Sequence, residues 1–229
     1  MLEWLIIGGG IHGTHLSRVL TAQAGGDAAQ VRVLDPHKEP LQRWRECTRN
    51  CGMEFLRSPL EDHIADDPLS LFIYRRDRGT HSTTHLGRTR GRAALTVFND
   101  HADDVIRRSG LRDLRLVGRA TGLTSVAGGL GVDSDAGRIE ARRVLLAMGI
   151  TEQLRYPDWV AALPAHHYDH VGAPGFDVAG VGAWEHCVVV GGAMTAAQTA
   201  VALSKSGSGE VTLLSRGELR CHDYDTDAE

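Results

Sequence analysis

A chain of 229 residues carries enough apolar surface for one large domain or two small ones. With 42% hydrophobic residues, 24% charged residues and a net charge of −4, it lies outside the compositions of disordered and of strongly basic nucleic-acid-binding chains. No apolar run approaches the roughly 20 residues a membrane helix needs. The start Met1-Leu2-Glu3-Trp4 lacks a basic leader, and four scattered cysteines make no disulfide framework, so a reducing cytoplasm is the expected setting.

Residues 4–7 form an apolar run bounded by glycine, the pattern of a buried strand in a parallel sheet. Gly8-Gly9-Gly10-Ile11-His12-Gly13 follows, giving G-x-G-x-x-G at Gly8, Gly10 and Gly13. Residues 14–24 have helical spacing, with Leu16, Val19 and Leu20 on one side, and Gly25-Gly26 end them. A second strand over 31–34 stops at Asp35, which Pro36 follows. In this strand–turn–helix frame Gly8 permits the tight turn, Gly10 lets the backbone approach a pyrophosphate, and Gly13 lets helix and strand pack closely. The phosphates meet the helix N-terminus, where free N–H groups and the positive end of the dipole favour anions. Asp35 falls 22 residues after Gly13, where a carboxylate accepts from ribose hydroxyls. His12 offers the loop its backbone rather than its ring. The motif alone does not separate FAD from NAD.

The chain then turns irregular and polar through Pro36, Pro40 and Trp44 to Arg57-Ser58-Pro59. Glu61, Asp62, Asp66 and Asp67 read as a solvated acidic stretch before the turn at Pro68. Arginines at 75, 76, 78, 88, 90 and 92 surround His81 and His85, but 79–92 has no aromatic to stack a base. A solvated loop, or one whose arginines meet an anionic cofactor or substrate, is expected in preference to nucleic-acid binding. Residues 94–109 read as a helix with Val97, Ala102, Val105 and Ile106 on its apolar side. Three β-like segments, 114–117, 120–126 and 130–132, precede a buried strand over 142–149 that ends in Ala147-Met148-Gly149. A βαβ unit, a helix, a small antiparallel meander and a return strand are more than a simple NAD domain needs.

A stretch rich in Pro, Ala and Gly covers 157–185; its His166, His167 and His170 have no matching Cys or acidic set for zinc. The opening pattern then begins again. Residues 187–190 read as a strand, Gly191-Gly192-Ala193-Met194-Thr195-Ala196 as the turn, 197–206 as a helix, and 211–214 as a strand ending at Ser215-Arg216. The fingerprint has become G-x-A-x-x-A, and Arg216 takes the place of the acid. A guanidinium there suits the 2′-phosphate of NADPH, which a carboxylate repels. One acid-ended and one Arg-ended nucleotide fold fit FAD first and NADPH second. The expected fold is α/β: a Rossmann-type FAD-binding domain over 1–165, with a parallel sheet and a small antiparallel meander, a linker over 166–185, and a partial NAD(P)H-binding βαβ unit over 186–229.

Residues 6–20 (IIGGGIHGTHLSRVL), 55–71 (FLRSPLEDHIADDPLSL), 144–149 and 188–200 resemble the flavin-dependent monooxygenases, above all their lysine and ornithine N-monooxygenase-like branch. The resemblance implies a flavin reduced by NADPH that transfers one oxygen atom, through a C4a-hydroperoxide, to a small nucleophilic substrate. It implies that Gly8, Gly9, Gly10, Ile11, His12, Gly13, Asp35 and Pro36 hold the FAD. Trp44 and Arg57 would approach the flavin or its phosphates, Ala120 the adenine, and Ala147 and Gly149 the return turn. Gly191, Gly192, Ala193, Thr195 and Arg216 would hold NADPH. In that family the second domain runs well past its second strand. The expectation here is therefore a fragment, a chain that pairs with a second copy or a complementing chain, or one that has lost the full reaction.

Other readings stand beside this one. Cys47 and Cys51 follow Asp35 by 12 and 16 residues, near the redox pair of flavoprotein disulfide reductases, but their spacing is C-x3-C where those proteins have C-x4-C. A non-catalytic nucleotide-binding module fits the weakened second loop, and an NAD dehydrogenase without flavin is compatible with Asp35. No acid–base pair, nucleophile triad or metal site is identifiable, and no nucleic-acid or membrane partner is expected.

Overall fold

The computed structural model describes residues 1–25, 27–77, 92–149, 153–182, 184–207 and 209–219. The described chain falls into two compact units, one from 1–44, 55–77 and 92–149 and the other from 45–54 and 153–219. Among the described residues no helix is long and apolar enough to cross a membrane.

The first unit is a three-layer α/β structure. Strand β1 (Leu2–Ile7) alternates its side chains between the two faces of the sheet, as a strand must. Helix α1 (Ile11–Gln23) leads from it to β2 (Val31–Asp35), which pairs parallel with β1 through Trp4↔Val31 to Ile7↔Leu34. The chain then passes through α2 (Gln42–Asn50), which from residue 45 belongs to the second unit, before α3 (Ser70–Asp77), α4 (Leu95–Arg108) and β3 (Arg115–Val117), parallel to β2. Strands β4 (Ala120–Val126), β5 (Gly129–Ser134) and β6 (Gly137–Leu146) form the antiparallel meander. The sheet order is β3-β2-β1-β6-β5-β4.

Strand β6 belongs to both halves of this sheet. Its first residues, up to Ala141, pair with β5, while Ala141 to Leu146 pair parallel with β1. Leu5, Ile7 and Leu34 face Val132 and Ala141 in one core cluster. Ile6 and Val33 face the other way, into Ala102, Val105 and Ile106 of α4 and against Ile11, Leu16 and Leu20 of α1. Burial on both sides is why the central strands read as continuous apolar runs.

Several elements differ from the sequence expectation. Helix α1 begins at Ile11, not residue 14, because a helix can start inside a glycine loop when its first N–H groups need no partner within it. Helix α2 lies where the chain reads as irregular, its many charged residues hiding the 3.6-residue period, and α3 takes in Arg75 and Arg76, which the sequence places in a loop. The segment 115–117 is no part of the meander but the far edge strand beside β2. The return strand is longer at its start and ends at Leu146, before the Ala147-Met148-Gly149 turn.

The second unit contains β7 (His186–Val190), α5 (Met194–Lys205) and β8 (Glu210–Leu214), with β7 and β8 parallel. Val160, Val178, Leu203 and Cys51 are buried in it, and Asn50 donates through Nδ2 to the carbonyls of Val171 and Ala173. Val188, Val190 and Leu214 remain exposed on the two-stranded ribbon.

Candidate cofactor-binding site

The site of the first unit is the loop between β1 and α1, held from three sides. The Gly8 N–H donates to the Leu34 carbonyl, and the Ala147 N–H donates to Ile7, so the loop leaves the sheet tied to both neighbouring strands. Gly8 has φ +109, and a Cβ on it would overlap the Ala147 carbonyl. A Cβ on Gly13 would overlap the Gly8 carbonyl, so helix and strand approach at a distance only glycine allows. Gly10 is different. A Cβ there meets no atom within 4 Å, and its backbone (φ −73, ψ −165) suits any residue.

Gly10 is also the N-cap of α1, and no side chain caps that end. Uncapped N–H groups beside open space form an anion site by their donors and by the helix dipole. A pyrophosphate fits this cradle.

Asp35, at the end of β2, faces the loop. Its Oδ2 accepts from the Gly9 N–H at 2.5 Å, and its Oδ1 from the His37 N–H at 2.8 Å. The His37 ring nitrogen Nδ1 and an Arg115 terminal nitrogen each lie 3.1 Å from the same Oδ1. The Gly9 carbonyl in turn accepts from the Leu41 N–H at 2.9 Å and the Thr14 hydroxyl at 3.2 Å. Leu41 is fully buried with φ +62, a left-handed conformation rare for leucine that aims its N–H at the loop.

The structure therefore brings Gly8, Gly9, Gly10, Gly13, Asp35 and Ala147 together. Ile11 opens α1 and packs on the core, His12 is exposed on its first turn, and Pro36 is exposed beside Asp35. Trp44 packs edge-on to Phe98, with 5.8 Å between ring centroids, and its indole Nε1 is buried without a partner. Arg57 is exposed next to buried Leu56. Ala120 begins β4, opposite Ser134, and packs against the Leu5 cluster; Gly149 has φ +63 after the return strand. The sequence reading missed Arg115 and Leu41. A charge inside the apolar run Leu114-Arg115-Leu116-Val117 was the available signal for the first, and nothing marks the second.

A model of the FAD-NAD(P)-binding family matches residues 5–151. The chain belongs to the FAD-NAD(P)-binding family. No curated protein matches it. Among solved structures, the ornithine hydroxylase of Pseudomonas aeruginosa is similar at 18% identity and TM-score 0.68, over 95% of this chain and 55% of that one. The flavin-containing monooxygenase of Stenotrophomonas maltophilia matches at 17% and 0.66, over 97% of this chain and 60% of that one. The bacillithiol disulfide reductase of Staphylococcus aureus matches at 16% and 0.67, over 95% and 58%. At these identities the likeness is one of fold, and it joins monooxygenases and a disulfide reductase. This chain spans between 55% and 60% of the length of the three.

The second unit of this FAD-NAD(P)-binding chain repeats the loop in altered form. The Gly191 N–H donates to the Leu214 carbonyl at 2.9 Å, matching Gly8 and Leu34. By that register Ser215 stands where Asp35 stands, and Arg216 one residue beyond. Ala193 caps α5 without a side-chain bond, and a Cβ on Gly191 would lie 2.9 Å from the Ala196 methyl, so this turn cannot close as tightly as the first. Gly192, Thr195 and Arg216 are exposed.

The arginine-rich stretch lies mostly outside the described residues. Arg75, inside them, stands over the Phe72 ring at 5.7 Å.

Proposed function

We propose that the loop 8–13 holds FAD, that the loop 191–196 holds NADPH, and that the chain serves an NADPH-dependent flavin oxygenation of a small nucleophilic substrate. The observation that carries the first part is the open space at Gly10, at the uncapped start of α1, within a loop otherwise clamped on every side. The free N–H groups of the first turn would take the diphosphate, and Asp35 the adenosine ribose. Trp44 Nε1, buried and unpaired, is a donor available to the same ligand. Bound there, FAD supplies the electron transfer that the side chains lack. In the second unit the hydroxyl of Ser215 and the guanidinium of Arg216 remove the negative charge that would repel a 2′-phosphate. The similarity in fold to an ornithine hydroxylase and a flavin-containing monooxygenase supports oxygenation as the outcome.

The purified chain is expected to take up FAD, to show flavin absorption, and to lose it on adding NADPH under argon and regain it in air. A protein that stays colourless after incubation with FAD overturns the proposal. Flavin binding without bleaching by NADPH leaves a nucleotide-binding module.

Disulfide reduction is the second reading, favoured by the similarity to bacillithiol disulfide reductase. Cys47 is half-buried, and Cys51 is buried with its Sγ near the Thr48 carbonyl (3.5 Å) and Gln198 Oε1 (3.7 Å). A buried, hydrogen-bonded thiol is a poor partner for exchange. Cys47→Ser is expected to leave NADPH oxidation unchanged; its loss would favour the disulfide reading.

A further inference from the structure

Arg115 opens the edge strand β3, and its side chain is 5% exposed. Its guanidinium bonds Asp35 Oδ1 at 3.1 Å and the His37 carbonyl. Its Nε is buried without a partner. It also lies over Gly9, where a Cβ would overlap one of its terminal nitrogens. Gly9 occupies the unspecified position of G-x-G; a side chain there would displace the Arg115 guanidinium from its place beside Asp35.

A carboxylate has about four acceptor positions, two on each oxygen. Oδ1 of Asp35 is taken by the His37 N–H and Arg115, with the His37 ring nitrogen also beside it, whereas among the described residues Oδ2 accepts only the Gly9 N–H. The acceptor position left over is therefore on Oδ2, the oxygen that reaches the glycine loop. We propose that Arg115 is the positioning residue for the adenosine ribose of the dinucleotide: by holding Oδ1 it turns Oδ2 toward the ribose hydroxyls. This inference rests on the reading that loop 8–13 takes the dinucleotide. In this proposal Arg115 acts through Asp35.

The test is displacement of FAD, followed by flavin fluorescence, with ADP and with 2′,3′-dideoxy-ADP, which lacks both ribose hydroxyls. Displacing FAD restricts the readout to the first loop. The wild type is expected to prefer ADP about tenfold, the worth of one hydrogen bond to a charged group. In Arg115→Met the ratio is expected to fall to near one. Arg115→Lys keeps the positive charge but not the two-pronged hold on Asp35 and the His37 carbonyl, so it recovers overall affinity without recovering the ratio. A purely structural or purely charge-based role weakens both ligands equally and leaves the ratio unchanged; that result overturns the inference. Should Arg115→Met fail to fold, Gly9→Ala displaces the same guanidinium with every charge retained. It is expected to lower the ratio too, and an unchanged ratio is equally decisive against. A wild type that binds FAD but does not distinguish the two nucleotides overturns the role of Arg115 alone, whereas one that binds no FAD overturns the dinucleotide reading and this inference together.

Discussion

Two glycines of one loop face opposite constraints. Gly13 is fixed by the fold, because a methyl there overlaps the Gly8 carbonyl; Gly13→Ala is expected to cost roughly 3 kcal/mol in urea unfolding, as overpacking does. Gly10 has no neighbour and an ordinary backbone, so Gly10→Ala is expected to change stability by no more than about 0.5 kcal/mol. Its methyl nonetheless projects into the space reserved for phosphate, and FAD affinity should fall at least tenfold by equilibrium titration. A Gly10→Ala protein that binds FAD normally removes the cradle from the argument. A different residue-scale effect comes from His101, fully buried and hydrogen-bonded through Nε2 to the Ser70 hydroxyl at 2.8 Å. Burial, and then the neighbouring His63, push its pKa down from 6.5 to about 4. The unfolded chain takes up this proton first, so the stabilisation is whole above pH 6.5 and is lost as pH falls toward 4. The loss is about 3 kcal/mol by 1.36 kcal/mol per pH unit. His101→Gln, which does not titrate, is expected to flatten urea midpoints over that range.

At the scale of elements, the two βαβ units differ in their glycine turns and in the residues that end their second strands. The first closes on glycine and ends its second strand in Asp35; the second accommodates Ala196 and ends in Ser215 and Arg216. Arg216→Ala is expected to weaken NADPH about tenfold while leaving NADH unchanged, because only the 2′-phosphate loses a charge-assisted bond. Equal losses for both nucleotides would contradict that role. The glycine turn, the strand that leads into it and the acid that closes the next strand were legible in the sequence, because each depends on local backbone freedom or on apolar runs. Helix α2 was not, since its many charged residues mask the period, and neither was α3, a helix of only 8 residues. The edge strand at 115–117 was taken into the meander for a related reason: three residues signal that they are extended but not which strand they pair with.

At the scale of the molecule, the cofactor is part of the stability. If FAD binds the first unit only when folded, adding it at 100 times its Kd is expected to raise unfolding free energy by about 2.7 kcal/mol, visible as a higher Tm. An unchanged Tm under saturating FAD counts against a site formed in the native state. The meander covers the Leu5, Ile7 and Leu34 face through Val132, which is fully buried.

The sequence by itself determined the fold class, the two glycine turns between strand and helix and the residues that shape them. Those follow from patterns within about 35 residues, where glycine conformation and strand periodicity speak directly. Only the tertiary structure decided which donors hold Asp35 and what lies over Gly9. It also revealed that Leu41 takes a left-handed conformation to reach the loop, and that the indole N–H of half-buried Trp44 is buried and unpaired. Asp35 and Arg115 are 80 residues apart, and their meeting depends on β3 pairing beside β2 at one register, Asp35 opposite Val117. Such pairing is set by packing across the whole sheet, a property that no window of the chain contains.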